Sequence, residues 1–346
     1  MLKQEGEIWH NRMGHISAPY LNRLKVNSLG PVEFIFNSTI SECQICNYAK
    51  MTRKTFDKDR EGATYPCQII HSDLITINIP TLIKNNKYIL TLLDDYTRYL
   101  QIFVIKSKTA VPECLNQGLT NLKTIFPTKP YFRYLRTDNG KEFICDKTIK
   151  ILNNFNIQSQ LVEPFAHEHN GTIERLNRTI EERIRALLFT SGFPNSFWGL
   201  AAQCATYLYN RTPHSALDFI TPYEKAFTKK PDLSCIRIFG SCTYVYSENT
   251  PRGNKTAPRS TKQYLIGFQD TGYITYDPIT RKTSNVCSVK IDEKIQYKHD
   301  FPTTSENQTL EFVNKNSEDE RTQYDNSSTS SSHSNYGLED TQGETI

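Results

Sequence analysis

The sequence predicts an α/β layer built on a mixed sheet, with a small metal-binding segment before it and a run of short strands after it. Three observations carry this. Three apolar stretches follow one another closely between residues 68 and 106, divided only by polar turns. Helix-like and strand-like stretches then alternate to about residue 227. From about 235 to 297 the pattern changes to short strands alone.

In chain order, "QIIHSDLITI", "KYILTLLDD" and "YLQIFVIK" are three successive strands, rich in Ile, Leu and Phe. "TAVPECLNQGLTNLKTIF" is a helix that tolerates Pro112 in its first turn. "YFRYLRTDNG" is a further strand ending at a turn, "KEFICDKTIKILNNF" a helix and "IQSQLVE" a strand. After the loop "PFAHEHNG", Ile173, Leu176, Ile180, Ile184 and Leu187 recur at steps of three and four. They predict one apolar face of a helix opening at Thr172, with Glu174 in its first turn. "NSFWGLAAQCATYLYNRT" supplies the next helix. Three adjacent strands followed by this alternation indicate a mixed sheet. "IRIFGSCTYVYS", "KQYLIGFQ", "GYITYDP" and "TSNVCSVKID" predict a small β-barrel or sheet, and the Ser- and Asn-rich tail is expected to be disordered. The expected domains are 1–61, 62–227, 228–300 and 301–346.

With 37% hydrophobic residues, 18 Phe and 19 Tyr in 346 residues, the chain can bury a substantial core. No run of about 18 apolar residues occurs, so no membrane partner is expected. The start, "MLKQEGEIWHNRMGH", lacks the basic-then-apolar order of a secretion signal. Nine scattered cysteines suit a reducing compartment better than a disulfide scaffold. The net charge of +4 conceals a split: residues 301–346 hold two basic and nine acidic residues, leaving +11 on residues 1–300. A basic body with an acidic tail fits a polyanion such as nucleic acid.

His10 and His15 are separated by four residues, Cys43 and Cys46 by two, with 27 between the pairs. Zinc takes four tetrahedral N and S ligands, and two close pairs from distant segments supply them. All four positions are then filled, which gives the ion a structural role. It also explains how a segment so poor in aliphatic residues folds. The other seven cysteines lack paired spacing and are expected to pack as small hydrophobes. Trp9 and Trp198 are expected to pack against helices.

Three carboxylates stand out. Asp73 lies inside the first core strand, where a charge is costly unless paired or metal-bound. Asp138 closes the fourth strand in "RTDNG", and Glu174 follows it with 35 residues between. One helix, one strand and a return loop fit in that interval. Each acid also has an ordinary reading: Asp73 as an edge-strand acid facing water, Asp138 as a turn residue, Glu174 as an acid at the positive end of a helix.

The arrangement resembles the DD(35)E core of retroviral and retrotransposon integrases, a ribonuclease-H-like fold. The words "WHNRMGH", "CQICNYAK", "HSDL", "LLDDYTRY", "RTDNGKEF", "HNGTIERLNRTI", "FWGLAAQCATYLYNRTP" and "IRIFGSCTYV" resemble the Ty1/copia class of long-terminal-repeat retrotransposons, and "YLIGF", "GYITYDP" and "VKIDE" its segment beyond the core. The resemblance covers roughly residues 8–297. Residue by residue, it implies that Asp73, Asp138 and Glu174 are the catalytic triad and that His10, His15, Cys43 and Cys46 are zinc ligands. Asp94 and Asp95 match a family word but are read as strand-end turn acids.

The resemblance further implies two divalent cations on the triad, Mg²⁺ or alternatively Mn²⁺, about 3.5–4 Å apart. They would serve cleavage of DNA ends with water as nucleophile, and strand transfer with a DNA 3′-hydroxyl. It implies a Gag-Pol polyprotein fragment acting on element ends and target duplex, self-association, and location in a cytoplasmic virus-like particle and the nucleus. No small-molecule substrate is expected. Two other functions fit the same residues: a DNA-binding relic without catalysis, and an endonuclease of this fold without strand transfer.

Arg178 and Arg185 share the Glu174 side of the helix and are candidate phosphate contacts, alongside Lys50, Arg53, Lys54, Lys58 and Arg60. Ion pairs within the helix and a solvated basic face are the ordinary readings. Asn139 and Asn170 sit beside the candidate ligands, as orienting groups or plain turn residues. "DTG" at Asp270–Gly272 is read as a hairpin turn.

Overall fold

The computed structural model describes residues 2–29, 43–50, 62–127, 132–161, 167–246, 258–269, 271–302 and 310–313. The three apolar stretches are strands β1 (Ile69–Ile77), β2 (Tyr88–Asp94) and β3 (Leu100–Ile105), paired antiparallel in sequence. Two further strands, β4 (Tyr134–Thr137) and β5 (Gln158–Leu161), add in parallel on the other side of β1, giving the order β3-β2-β1-β4-β5. This is the mixed sheet the sequence predicts. The β1–β4 register ends with His71 opposite Arg136; Asp73 stands two residues beyond that pair on β1, and Asp138 follows the end of β4.

Alternation along β1 sends its residues to two cores. Ile70 and Leu74 face a cluster with Leu115, Leu119 and Leu122 of α4 (Val111–Ile125) and Leu152 of α5 (Asp146–Asn154). Pro112 lies in the first turn of α4, as expected. Ile75 and Ile77 face the opposite cluster, and Asp73 shares their parity, so it points to that side.

That second cluster is built on α6 (His167–Ser191) and α7 (Trp198–Asn210). The helix expected to open at Thr172 therefore begins earlier, and Glu174 lies two turns inside it rather than in the first. A terminal dipole has little hold there. Gly171 within the helix costs about 1 kcal/mol relative to alanine. Each buried Ile or Leu contributes about 1.5–3 kcal/mol. Ile173, Leu176, Ile180, Ile184 and Leu187 are all buried, which outweighs the glycine.

The N-terminal segment folds as α1 (Leu2–Arg12), α2 (Ala18–Asn27) and α3 (Gln44–Lys50). Its Trp9, Met13, Ile16, Leu21 and Leu24 are buried in the same cluster as the apolar face of α6. Trp198 is buried too, its indole donating to the Ile79 carbonyl at 2.7 Å.

A short helix, α8 (Pro222–Phe227), leads to five antiparallel strands: β6 (Ser241–Tyr246), β7 (Ser260–Gln269), β8 (Gly272–Asp277), β9 (Lys282–Val286) and β10 (Val289–Gln296), ordered β10-β6-β7-β8-β9. The expected barrel or sheet is thus a sheet. Gln269 pairs with Gly272 across the "DTG" turn, although Asp270 itself lies outside the described residues. Close approaches hold this sheet to the end of α6. A Cβ on Gly192 (φ +74°) would come within 2.3 Å of Lys298, and one on Gly240 (φ +84°) within 2.2 Å of Ser191. Phe193 stacks between Phe197 and Tyr297, at centroid distances of 4.5 and 4.2 Å.

Two expectations need restating. All nine cysteines are free thiols, but of the seven outside the paired motif only Cys67, Cys204 and Cys242 are buried; Cys287 is exposed. Irregular turns, not core strands, carry most of the others. The expected disordered tail lies almost wholly outside the described residues. Among the described residues no helix is long and apolar enough to cross a membrane.

Candidate functional site

His10 ends α1, and Gly14 and His15 take left-handed backbone angles (φ 67° and 64°) that fold the chain back onto it. Cys43 and Cys46 arrive on the start of α3. One donor atom from each of the four lies within 4.8 Å of all the others. His10 Nε2 is 3.1 Å from His15 Nδ1, Cys43 Sγ 3.5 Å from His15 Nδ1, and Cys46 Sγ 3.3 Å from His10 Nε2. A zinc tetrahedron with Zn–N near 2.0 Å and Zn–S near 2.3 Å has edges of roughly 3.3–3.8 Å. The four residues therefore fit zinc.

The ring nitrogens turned away from the centre have partners of different kinds. His10 Nδ1 donates to the Ile16 carbonyl at 2.8 Å, leaving Nε2 bare; His15 Nε2 meets Thr190 Oγ1 of α6 at 2.7 Å, a hydroxyl that can accept or donate. Burial lowers the pKa of His10 to about 4 and of His15 to about 3, so both rings are neutral at physiological pH, as ligation requires. Burial raises the Cys46 thiol to about 11, an elevation that a cation at the centre would reverse. Lys50 donates to the His15 carbonyl, and burial lowers its pKa to about 8.

The three carboxylates lie on three elements: Asp73 within β1, Asp138 just after β4 and Glu174 on α6. Asp73 Oδ1 accepts from the Leu74 amide at 2.8 Å, and Oδ2 from Asn177 Nδ2 at 2.7 Å. Asn177 sits three residues after Glu174 on α6, so Glu174 is one turn from this contact. Asp138 follows β4 directly, its Oδ1 accepting from the Gly140 amide at 3.1 Å in a tight turn. Among the described residues, the group of three or more ligating side chains with converging donor atoms is the His2Cys2 set. The three acids do not form such a group among the described residues. Like charges resist closer approach without positive charge between them.

Around them, Glu181 of α6 is buried, and burial raises its pKa to about 7, with Arg185 and Arg178 opposing the shift and Glu182 and Asp73 adding to it. Arg178 is exposed, while the Arg185 guanidinium lies over the Phe312 ring at 5.1 Å. Lys50 is turned toward His15 rather than outward, and Asn139 is exposed. Arg53, Lys54, Lys58 and Arg60 lie outside the described residues, as does the Asn170 side chain.

Asp94 and Asp95 do end β2, but as buried anchors. Asp94 accepts from Cys67 N and from Thr97 N and Oγ1; Asp95 accepts from Ala63 N and pairs with His71 and Arg98. Sequence reasoning missed Asn177 and His71. The available signal was spacing: Asn177 three residues beyond Glu174 on one helix, and His71 two residues before Asp73 on one strand.

Residues 2–51 match the GAG-pre-integrase domain. The chain is 30% identical over 278 residues to the retrovirus-related Pol polyprotein from transposon TNT 1-94 of Nicotiana tabacum, covering 80% of this chain and 21% of that protein. It is 28% identical over 288 residues to the Pol polyprotein from transposon RE2 of Arabidopsis thaliana, covering 83% and 19%. Among solved structures, a chain of the simian T-cell lymphotropic virus intasome bound to PP2A regulatory subunit B56 gamma aligns with TM-score 0.42 and 13% identity, over 73% of this chain and 91% of that one. The catalytic core of BIV integrase aligns with TM-score 0.35 and 18% identity, over 47% and 95%. The chain spans about one fifth of the length of these Pol polyproteins. On its sequence relatives, then, this chain is kin to the Pol polyproteins of Ty1/copia-class retrotransposons.

Proposed function

We propose that the chain is an integrase that joins the 3′ ends of element DNA to a target duplex. The observation that carries this reading is the Asn177–Asp73 hydrogen bond, which ties the Glu174 turn of α6 to β1, while Asp138 follows β4, the strand paired beside β1. On this reading Asp73, Asp138 and Glu174, from three elements, form one site, in a chain related to Pol polyproteins.

Asp73, Asp138 and Glu174 offer only hard oxygen donors, which suit Mg²⁺ or Mn²⁺. When bound, such cations supply the charge that activates an attacking oxygen and steadies a leaving one at phosphorus. The chain's part is placement. Leu74 N–H and the Asn177 amide both donate to Asp73, which fixes that carboxylate in direction. Arg178, exposed one turn from Glu174, would meet a DNA phosphate. The His2Cys2 centre would hold a structural zinc. As an integrase the protein would assemble as a multimer on DNA, in a virus-like particle and then in the nucleus.

The test combines the purified protein, Mg²⁺, a labelled duplex ending in the element's terminal sequence, and a supercoiled plasmid. Joined product is expected. Nicks without joining would identify an endonuclease, and binding alone a relic. Glu174→Gln should abolish joining while fold and DNA retention persist; joining at the wild-type rate would remove Glu174 from the chemistry.

A further inference from the structure

His10 and His15 are anchored differently, and the difference crosses from one segment of the chain to another. The outer nitrogen of His10 is satisfied locally, by the carbonyl of Ile16 six residues away. The outer nitrogen of His15 is satisfied by Thr190, 175 residues away near the end of α6. Both groups are buried, His15 at 1% exposure and Thr190 at 5%, so water does not substitute for either. Lys50 adds a second tie, donating to the His15 carbonyl from α3 beside Glu182 and Arg183 of α6.

A free imidazole can carry its proton on either nitrogen, and Nε2 can then accept from the threonine or donate to it. A metal ion on Nδ1 removes that choice. It fixes the proton on Nε2 and makes the bond to Thr190 Oγ1 a directed donation, polarised by the cation. The two states thus differ in a contact made by α6, which is what linkage requires.

We propose that Thr190 is the outer partner of the zinc-binding His15, supplied by the helix that carries Glu174, so that metal binding and the seating of the last turns of α6 form one linked equilibrium. Thr190 is a positioning residue: it touches neither the ion nor the triad. This rests on the zinc reading of the His2Cys2 centre, but not on strand transfer. By reciprocity, loosening α6 weakens the metal site as much as removing the metal loosens α6.

The full chain is first assayed for bound zinc; its absence would overturn the zinc reading and this inference together. Zinc affinity is then measured by competition with a chromophoric chelator, for wild type, Thr190→Val and Thr190→Ser. Thr190→Val keeps the shape and loses the hydroxyl, and should bind zinc roughly 10–100-fold more weakly. Thr190→Ser keeps the hydroxyl and should stay near wild type. The visible bands of the Co²⁺-substituted protein, which report ligand strength, should shift in Thr190→Val and not in Thr190→Ser. Hydrogen exchange across residues 184–191 should speed up in wild type when zinc is chelated. Zinc bound by Thr190→Val as tightly as by wild type, or exchange in 184–191 indifferent to chelation, would overturn the proposal while leaving the zinc reading intact.

Discussion

Asn177, a buried amide on α6, donates to the carboxylate of Asp73 on β1 at 2.7 Å. Among the described residues its carbonyl oxygen has no hydrogen-bond partner, so there the side chain is held from one side, by the candidate catalytic acid. Asn177→Ala should cost about 1.5–3 kcal/mol of stability, the range for a hydrogen bond to a charged group. It should also reduce joining more than DNA retention. Urea denaturation and the joining assay, run on one preparation, check both.

The pH dependence of stability has a definite sign at Glu181. Its folded pKa, about 7, lies above its ordinary 4.5, so the folded state holds the extra proton between those values. Stability from this group is therefore fully present below pH 4.5 and is lost as pH rises to about 7. Glu181→Gln should then stabilise the protein at pH 8 by roughly 1–3 kcal/mol and have little effect at pH 4. Thermal melts of both proteins across that range test it; a shift equal at pH 4 and pH 8 would place the cause elsewhere.

Asp94 is fully buried and accepts three hydrogen bonds, two from Thr97 and one from the Cys67 amide. Asp94→Ala leaves those donors without partners and should destabilise the core by about 3 kcal/mol or more. Denaturant titration followed by tryptophan fluorescence measures it. The same change at half-exposed Asp277, which accepts from Ile279 and Thr280 within its own turn, should fall within about 1 kcal/mol.

Arg12 of α1 reaches Glu293 of β10, its Nε 2.9 and 3.1 Å from the two carboxylate oxygens. Glu293 also accepts from the Ile238 amide at 2.8 Å. Glu293→Ala removes the ion pair and strands the Ile238 amide, whereas Arg12→Ala removes the pair and a cation–π contact with Trp9 at 5.0 Å but strands no backbone donor, so the first should be the more damaging. A double-mutant cycle should return a coupling of about 1 kcal/mol.

Much of this architecture was legible in local pattern. The runs around Ile70, Leu90 and Phe103 could only be strands, and the His10–His15 and Cys43–Cys46 spacings pointed to one metal centre. Where reading stopped was at contacts between distant segments. Thr190 is an unremarked threonine in a helix, and nothing in its neighbours announces a histidine 175 residues upstream. Asn177 shows its role only once β1 lies beside α6. The start of α6 was misplaced because His, Asn and Gly in "HEHNG" have weak helix preference, and burial further along overrode them.

At 25 residues, α6 is about 37 Å long, and about 24 Å separates Thr190 from Glu174 along it. A rod of that reach is a lever. A tilt of roughly two to three degrees at its far end swings the glutamate by about 1 Å. Misplacements of that size can cost an enzyme about a hundredfold in rate. If Glu174 acts with Asp73 and Asp138 as proposed, their alignment would depend partly on how firmly the opposite end of the rod is clamped.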